Sequence, residues 1–393
     1  MSTSTTIGLG RLQKCFAVQE ATPGTIEIPV SSDLIVVNSG ELQIPNPNFV
    51  EDKGMRGSRS EFRRYNTTTG GGALKISRYV RPSGSLGVAP EGGCLWESGM
   101  GLESITGGAS VTYANQDTHP SFTFYARKDH TVYVASGCCT DKLSAKKNQK
   151  DILELSDDCK CMKVIWTGTG ALAEAITTAP AAGTEEWWSV DDVKKWCVGS
   201  HILIGSEQMQ VTGTYWEGTS GGSAGKIKLK RGHNSSTPAT HLNAAAITPW
   251  LPTGTETGAA LSARLGTVTI AGATVPLLDI DWNHENGMTL TEEEMSGSAY
   301  PSDFVEGQRK VNGTMNLYFR KADAKYFADA QLQTRKAVVI NFGSTAGSRM
   351  AINLPYCEMD MPALSGDKDA FKIAVKYQAF ANAGNDEDLV VFT

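Results

Sequence analysis

The segment from Val198 to Ile247 constrains the fold most, because its apolar residues recur at every second position between glycine-rich turns. Ile202 and Ile204 form one such pair, and Ile227 and Leu229 form another. A period of two places successive side chains on opposite faces of a β-strand, so that one face is apolar. The sequence therefore predicts a small β unit that displays a surface and carries no catalyst.

The composition of the whole chain indicates strands joined by turns. Its 393 residues include 41 glycines and 15 prolines, with many threonines and serines and few long runs of helix formers. Such residues favour strands and turns over helices. Because single hydrophobic cores seldom exceed about 250 to 300 residues, the length indicates two or three domains. We expect a mainly β protein.

The charge balance limits the partners that the chain can bind. It has 36 basic and 42 acidic residues and a formal charge of −6, which disfavours a protein that clamps nucleic acid by neutralising phosphates. A surface along which DNA only slides would instead favour negative charge. The sequence shows no secretory signal and no stretch of about 18 apolar residues that would span a bilayer. We therefore expect no membrane association and synthesis in a cytoplasm.

Cysteine usage indicates a reducing compartment. The eight cysteines are sparse for this length, and none of them forms a Cys-x-x-Cys pair. Cys159 and Cys161 form a Cys-x-Cys motif, but a second pair at zinc-finger spacing is missing. Buried thiols without a metal are the favoured interpretation.

Two stretches of small residues, Gly168–Gly183 and Pro252–Ser262, interrupt the strand patterns as flexible joints would. They enclose the alternating unit described above, and a domain inserted at a loop tip has this arrangement. We therefore predict a discontinuous domain of residues 1–166 and 256–393, with an inserted β-rich domain of residues 167–255.

Local patterns predict two short helices and several hairpins. Gly92–Leu102 and Ala322–Leu332 carry apolar residues that would share one helical face. Phe122–Val134 is typical of a hairpin. The Ser-Asp-Asp run that starts at Ser156 is predicted to be a turn between two strands, and Ser189 is expected to cap a helix.

The polar segment from Pro45 to Gly72 is predicted to be a long loop without a core of its own. Loops of this size in a compact domain are usually functional or become ordered against a partner. Arginines and aromatic residues are interleaved along it: Arg56, Arg59, Phe62, Arg63, Arg64 and Tyr65. Such a set could stack bases and meet phosphates. Nearby acidic residues dilute that field, so a loop that forms salt bridges between subunits is the preferred interpretation.

Motifs that could support catalysis or metal binding lack the context they need. Residues 221–225 spell Gly-x-Ser-x-Gly, but a nucleophile elbow requires a buried strand before the serine and a helix after it. His233 and His241 could make a metal or carbohydrate contact, although satisfied loop histidines are the simpler interpretation.

A run of three glutamates precedes Asp303 and Glu306: Glu292, Glu293 and Glu294. Paired carboxylates can cleave glycosides, but consecutive glutamates alternate faces and rarely aim at one bond. A solvated acidic loop is the alternative. We predict no catalytic residue, no cofactor and no metal.

Several segments outside the predicted insertion resemble the tail tube proteins of long-tailed bacteriophages. They are the Glu-Ala-Thr-Pro-Gly-Thr segment from Glu20, the Gly-Cys-Cys-Thr-Asp-Lys-Leu turn from Gly137, and the region from Leu354-Pro-x-Cys to Gly384-Asn-Asp-Glu-Asp-Leu-Val-Val-Phe. Within the insertion, an Ile-Gly-x-Glu strand followed by Arg-Gly, threonine and histidine resembles a β module of phage tail components. The resemblance covers nearly all of the chain apart from the insertion.

This resemblance implies a tail-tube-type β-sandwich flanked by a short helix. In the family, six copies form a ring whose inner strands join into a continuous barrel, and stacked rings form a hollow tube through which phage DNA enters the host. Unpaired strand edges invite unwanted association, and ring closure pairs them with neighbouring subunits. The chain would then be a structural protein of the virion tail, assembled in the cytoplasm of the host bacterium.

The resemblance also implies partners and positions. The partners would be further copies of the chain, the tape measure protein, the tail terminator and the baseplate or distal tail proteins, with DNA only in transit. The arginine-rich loop would bridge rings or subunits, and the three glutamates would line the lumen, where like charge keeps DNA from adhering. The insertion would decorate the outside of the tube, because the lumen has no room for six copies.

Two other functions are compatible with the sequence. One is a phage adhesion or decoration protein that binds a cell-surface carbohydrate through the inserted domain. The other is a hydrolase that uses one of the acidic pairs.

Overall fold

The computed structural model describes residues 13–54, 60, 63–148, 152–216, 225–262, 266–292, 299–366 and 370–393. Within these residues the chain is mainly β, with two short α-helices. The predicted fold class is therefore confirmed. None of the described helices is long and apolar enough to cross a bilayer.

The strands are, in chain order, β1 (Gln13–Gln19), β2 (Leu34–Ile35), β3 (Val37–Gln43), β4 (Pro47–Glu51), β5 (Arg64–Thr69), β6 (Gly72–Tyr79), β7 (Gly101–Thr106), β8 (Ser110–Asn115), β9 (Phe122–Lys128), β10 (Thr131–Asn148), β11 (Glu154–Thr167), β12 (Gly170–Ala171), β13 (Glu185–Val190), β14 (His201–Ile204), β15 (Glu207–Trp216), β16 (Gly225–Lys230), β17 (Ala246–Pro249), β18 (Thr267–Ile270), β19 (Ala273–Thr274), β20 (Asp279–Glu285), β21 (Thr289–Leu290), β22 (Phe304–Val305), β23 (Lys310–Tyr318), β24 (Lys336–Thr345), β25 (Ser348–Met359), β26 (Ala363–Gly366), β27 (Phe371–Ala379) and β28 (Leu389–Phe392). The α-helices are α1 (Gly93–Met100) and α2 (Lys325–Gln331), and short 3-10 helices cover Ser31–Asp33, Val193–Lys195, His233–Ser235 and Lys321–Ala324.

Most strands join one continuous antiparallel sheet that is organised around β10 and β25. Strand β10 pairs with β11 along one edge and with β9 and then β20 along the other. From β20 the sheet continues to β23 and β27, and β27 meets the end of β25. Strand β25 also pairs with β24 and with β28, which in turn pairs with β8. The apolar faces of both regions contribute to one large core, which a β-rich sequence with period-two alternation is expected to form.

Helix α1 lies where the sequence predicts it. Leu95, Trp96 and Met100 are buried, and the Trp96 ring stacks on Tyr113 with centroids 6.1 Å apart. The prediction was wrong for Leu102, which is half-exposed on β7 because the helix ends at a glycine of positive φ. Helix α2 likewise forms within its predicted segment.

The turn predicted at Ser156 does not exist, because the residues from Ser156 to Asp158 continue strand β11. The polar character of this run is explained by a buried ion pair. Asp157 is fully buried and accepts hydrogen bonds from Arg78 Nε at 2.8 Å and Nη2 at 3.2 Å. A charge in the core is tolerated only when it is paired and hydrogen-bonded in this way.

Two segments that carry the family resemblance meet in the structure. The Glu20 carboxylate, at the end of β1, accepts a hydrogen bond from Gly137 N at 2.8 Å within β10. It also accepts from Gly24 N, Ser121 Oγ and Thr123 Oγ1, each at 2.7 Å. The motif residues therefore build one buried polar junction between the N-terminal strand and the central hairpin.

A second sheet of six strands has the order β12-β17-β14-β15-β16-β13, all between Gly170 and Pro249. It has its own hydrophobic core, in which the alternating residues from Ile202 to Leu229 are buried, as the sequence predicts. Ser189 lies in strand β13 and does not cap a helix. The helical turn that follows is a short 3-10 helix, Val193–Lys195, which Asp192 caps by accepting a hydrogen bond from Lys194 N at 3.1 Å. Val193 and Trp196 are buried, as the sequence predicts. The sheet contacts the end of β11 through hydrogen bonds such as Gly168 N to Lys195 O at 2.8 Å.

Candidate functional site

Strands β4 and β5 form a two-stranded ribbon that is separate from both larger sheets. The ribbon carries exposed apolar residues. Strand β4 pairs with β5 from Pro47↔Thr69 to Glu51↔Arg64. All of β4 is exposed, with Phe49 at 55% and Tyr65 on the partner strand at 48%. The segment predicted as an irregular loop is thus a ribbon in its described part. Two-stranded ribbons are marginally stable alone in water, so this one presents a surface suited to being covered.

The described arginines of this segment lie against aromatic rings of the ribbon. The guanidinium carbon of Arg63 is 5.8 Å from the Tyr65 ring centroid, and that of Arg64 is 5.5 Å from the Phe49 ring centroid. These cation–π contacts place positive charge beside the exposed apolar rings. Three further predicted residues, Arg56, Arg59 and Phe62, lie outside the described residues. Phe49 was not predicted as a site residue, although Phe49 and Val50 form a short apolar pair two positions after Pro47.

The root of the ribbon is tied to the acidic segment. Glu292 Oε1 accepts a hydrogen bond from Gly71 N at 2.9 Å, and Thr69 N donates to Ala299 O at 2.7 Å. A Cβ on Gly71 would lie 2.0 Å from Leu290 Cδ1, so the backbone approaches β21 closely. Glu292 is exposed, whereas Glu293 and Glu294 lie outside the described residues. The structure therefore brings together two groups that the sequence singled out separately.

The described carboxylates considered for hydrolysis lie in different surroundings. Glu306 lies in an open cleft of about 210 Å³ beside Asp117, His119 and Arg309. Burial raises the pKa of Glu306. Asp303 instead belongs to the turn at β21 and β22, where its backbone oxygen accepts from Thr291 N at 3.1 Å. Among the described residues, no group of three or more His, Cys, Asp or Glu side chains is placed to hold a metal ion.

The two histidines considered as ligands have structural neighbours in the six-stranded sheet. His241 Nε2 lies 2.8 Å from Glu207 Oε2, and this buried glutamate also binds Arg231 through both of its oxygens. Hydrogen bonds from Arg231 and His241 hold the pKa of Glu207 below its usual value against the opposing effect of burial. The His233 ring stacks on His201 with centroids 5.1 Å apart. Ser223 of the Gly-x-Ser-x-Gly motif lies outside the described residues.

One face of the six-stranded sheet displays an aromatic pair that sequence reasoning did not single out. Trp187 is 47% exposed and Tyr215 58% exposed, with ring centroids 6.4 Å apart and nearly perpendicular planes. Lys226 and Lys228 of the intervening strand β16 lie opposite Tyr215 and Trp187 in the register. The alternation in strand β13 could have indicated this exposed position. Trp188 and Val190 are buried, so Trp187, one position before Trp188, lies on the opposite face.

A comparison with protein families finds a match, which covers the central and C-terminal parts of the chain. Residues 198–379 match the model of the family described as phage tail tube protein. Over this region the chain is similar to phage tail tube proteins. The comparison with curated proteins finds no match. This similarity supports a structural protein of a phage tail.

The tail tube match extends over parts of both sheets. It begins just before β14 in the six-stranded sheet and ends at the last residue of β27. The matched region therefore includes much of the segment that the sequence analysis interpreted as an insertion. The ribbon β4–β5 lies outside it.

Proposed function

We propose that the chain is a tail tube protein that assembles into hexameric rings, which stack into the hollow tube of a phage tail, through which DNA passes into the host. The observation that carries the proposal is the ribbon β4–β5, whose apolar rings are exposed in the single chain. A self-assembling subunit needs such surfaces, because burial of apolar area drives association. Assembly would take place in the host cytoplasm, and the finished tube would belong to the virion.

Open sheet edges support lateral contacts within a ring. Among the described residues, β7 pairs only with β8, and β3 pairs only with β6. Ile105 on β7 is also exposed. Unpaired edges are sites of β-strand addition between chains, so these two edges are suited to pair with neighbouring subunits.

The remaining assignments follow from the same proposal. Residues 1–166 and 256–393 would form the tube wall, and residues 167–255 would lie on its outer surface. Glu292, Glu293 and Glu294 would face the lumen close to the root of the ribbon. Arg56, Arg59, Phe62, Arg63, Arg64 and Tyr65 would contact a neighbouring subunit or ring. The tube ends would meet the tape measure, terminator and baseplate or distal tail proteins.

Negative-stain electron microscopy of two deletion variants tests the proposal. Removal of residues 48–68 should leave a folded protein that no longer forms long tubes. Replacement of residues 168–254 by a short glycine-serine linker should leave ring formation intact. Wild-type protein that stays monomeric at all concentrations, or long tubes from the 48–68 deletion, would contradict the assignment.

The aromatic pair on the six-stranded sheet favours carbohydrate binding as a second function. Aromatic faces present large apolar areas to which sugar rings can stack. Binding of purified cell-surface polysaccharide can be measured by calorimetry with the full chain. Trp187→Ala should reduce the affinity at least tenfold, whereas Leu242→Ala, on an exposed residue of the same unit, should not. Equal affinities of the two variants would exclude this surface.

A further inference from the structure

Two cysteines face each other across the longest strand pair. Cys138 of β10 and Cys161 of β11 are register partners. Both side chains are fully buried, and their Sγ atoms are 2.8 Å apart. This separation is shorter than van der Waals contact between two sulfur atoms, and it approaches the S–S bond length of about 2.05 Å.

The backbone already has the geometry that a disulfide needs. Directly opposed residues of antiparallel strands have Cα atoms about 4.5 or 5.5 Å apart, and disulfides span Cα separations of about 4.4 to 6.8 Å. Small side-chain rotations would therefore complete the bond without moving either strand.

The neighbouring thiols are less well placed for the same bond. Cys159 has Thr140 as its register partner and contacts the Thr140 hydroxyl at 3.6 Å. Cys139 pairs with Lys160 in the register, and alternation along a strand turns its side chain away from that of Cys138. Of these four cysteines, Cys138 and Cys161 are the two that lie directly opposite each other in the register.

We propose that Cys138 and Cys161 are a latent disulfide, reduced during assembly in the cytoplasm and oxidised by a peroxide once the particle has left the cell. Hydrogen peroxide would convert one thiolate to a sulfenic acid and release hydroxide. The second sulfur would attack the sulfenic sulfur, and the S–O bond would break as water leaves. Overall, two thiols lose two electrons and two protons, and one peroxide becomes two waters.

The bond would cross-link strands β10 and β11, which form the central hairpin of the fold. The two residues are 23 positions apart, and a cross-link of this span restricts the unfolded chain. We expect the oxidised protein to melt about 5 °C above the reduced one. Burial and the contact with Cys161 raise the pKa of the Cys138 thiol well above its ordinary value. Since the thiolate is the reactive form, oxidation should be slow at pH 7 and faster at pH 8.5.

Peptide mapping of the full-length protein tests the bond directly. Trypsin cleavage after Lys128, Lys142, Lys160 and Lys163 would place Cys138 on peptide 129–142, Cys161 on peptide 161–163 and Cys159 on a separate peptide. After peroxide treatment and alkylation of the remaining thiols, mass spectrometry should find 129–142 linked to 161–163. The link should disappear on reduction with dithiothreitol.

Single substitutions of the cysteines show which two sulfur atoms form the bond. Cys139→Ala should keep the link and the rise in Tm, whereas Cys138→Ala and Cys161→Ala should lose both. A link from 129–142 to the Cys159 peptide, or no link after prolonged oxidation of folded protein at pH 8.5, would overturn the proposal. The mapping uses unassembled protein, so its result does not depend on whether the chain forms rings.

Discussion

The Glu20 carboxylate accepts a hydrogen bond from the backbone N–H of Gly137 at 2.8 Å, across 117 positions of sequence. Gly137 has φ +60°, and a Cβ there would lie 2.5 Å from Met162 Sδ. Glycine is therefore required at the point where strand β10 shifts its register with β9. The contact joins two of the segments in which the sequence resembles tail tube proteins.

Glu20→Gln should destabilise the fold by about 3 kcal/mol, because an amide can accept from fewer of the four donors, three of them buried, and brings its own N–H groups among them. Urea unfolding followed by tryptophan fluorescence would measure the loss. Glu41→Gln, at an exposed position on β3, serves as the control and should unfold like the wild type. Equal stability of the two variants would show that the junction does not hold the hairpin.

Phe49→Ser should abolish tube formation while leaving the Tm within about 1 °C of the wild type, because exposed side chains contribute little to the stability of the single chain. Light scattering and electron microscopy would report assembly, and calorimetry would report stability. Leu332→Ser provides the control, since Leu332 is highly exposed and lies far from the ribbon in sequence. Tubes of wild-type length from Phe49→Ser would show that the ribbon is not part of the assembly surface.

Glu292→Ala should loosen the root of the ribbon, because Gly71 N loses its carboxylate acceptor. The group is exposed, so the global cost should be small, about 0.5 kcal/mol. Hydrogen exchange of the amides from Thr69 to Gly71 should accelerate several-fold, with little change in β10. If the exchange rates of these amides stay unchanged, the contact does not order the ribbon.

Period-two alternation made much of the β architecture predictable. The strands around Ile202 and Leu229 form as their apolar spacing predicts, and helix α1 buries Trp96 and Met100 as its periodicity indicates. These elements succeed because local pattern and burial agree. Local sequence therefore identified the elements whose buried faces repeat regularly.

The errors arose where a distant partner determines the local structure. Asp157 continues a strand because Arg78, from another strand, neutralises it in the core. The ribbon was not predicted because Phe49 and Tyr65 remain exposed, and exposure gives no periodic signal. Glu292 was singled out for its charge alone, and its contact with Gly71 depends on the arrangement of separate strands. The Cys138–Cys161 contact likewise depends on register, which the sequence does not display.

His201 should make the stability of the protein depend on pH below 6.5. Its side chain is buried, and neither ring nitrogen has a hydrogen-bond partner among the described residues. Burial, with a smaller contribution from His233, lowers the pKa of His201 to about 4. The unfolded chain therefore binds a proton between pH 6.5 and 4 that the folded chain does not, and unfolding becomes easier as the pH falls. The loss should approach about 1.4 kcal/mol for each pH unit in this window.

His201→Phe keeps an aromatic ring beside His233 and removes the titrating group. The free energy of unfolding of this variant, measured by urea titration from pH 8 to pH 4, should fall less steeply below pH 6.5 than that of the wild type. A residual slope should remain, because burial also lowers the pKa of His119 to about 4. His130→Phe, at a half-exposed position, controls for the replacement of a histidine by phenylalanine. Parallel profiles for His201→Phe and the wild type would mean that His201 titrates normally in the folded protein.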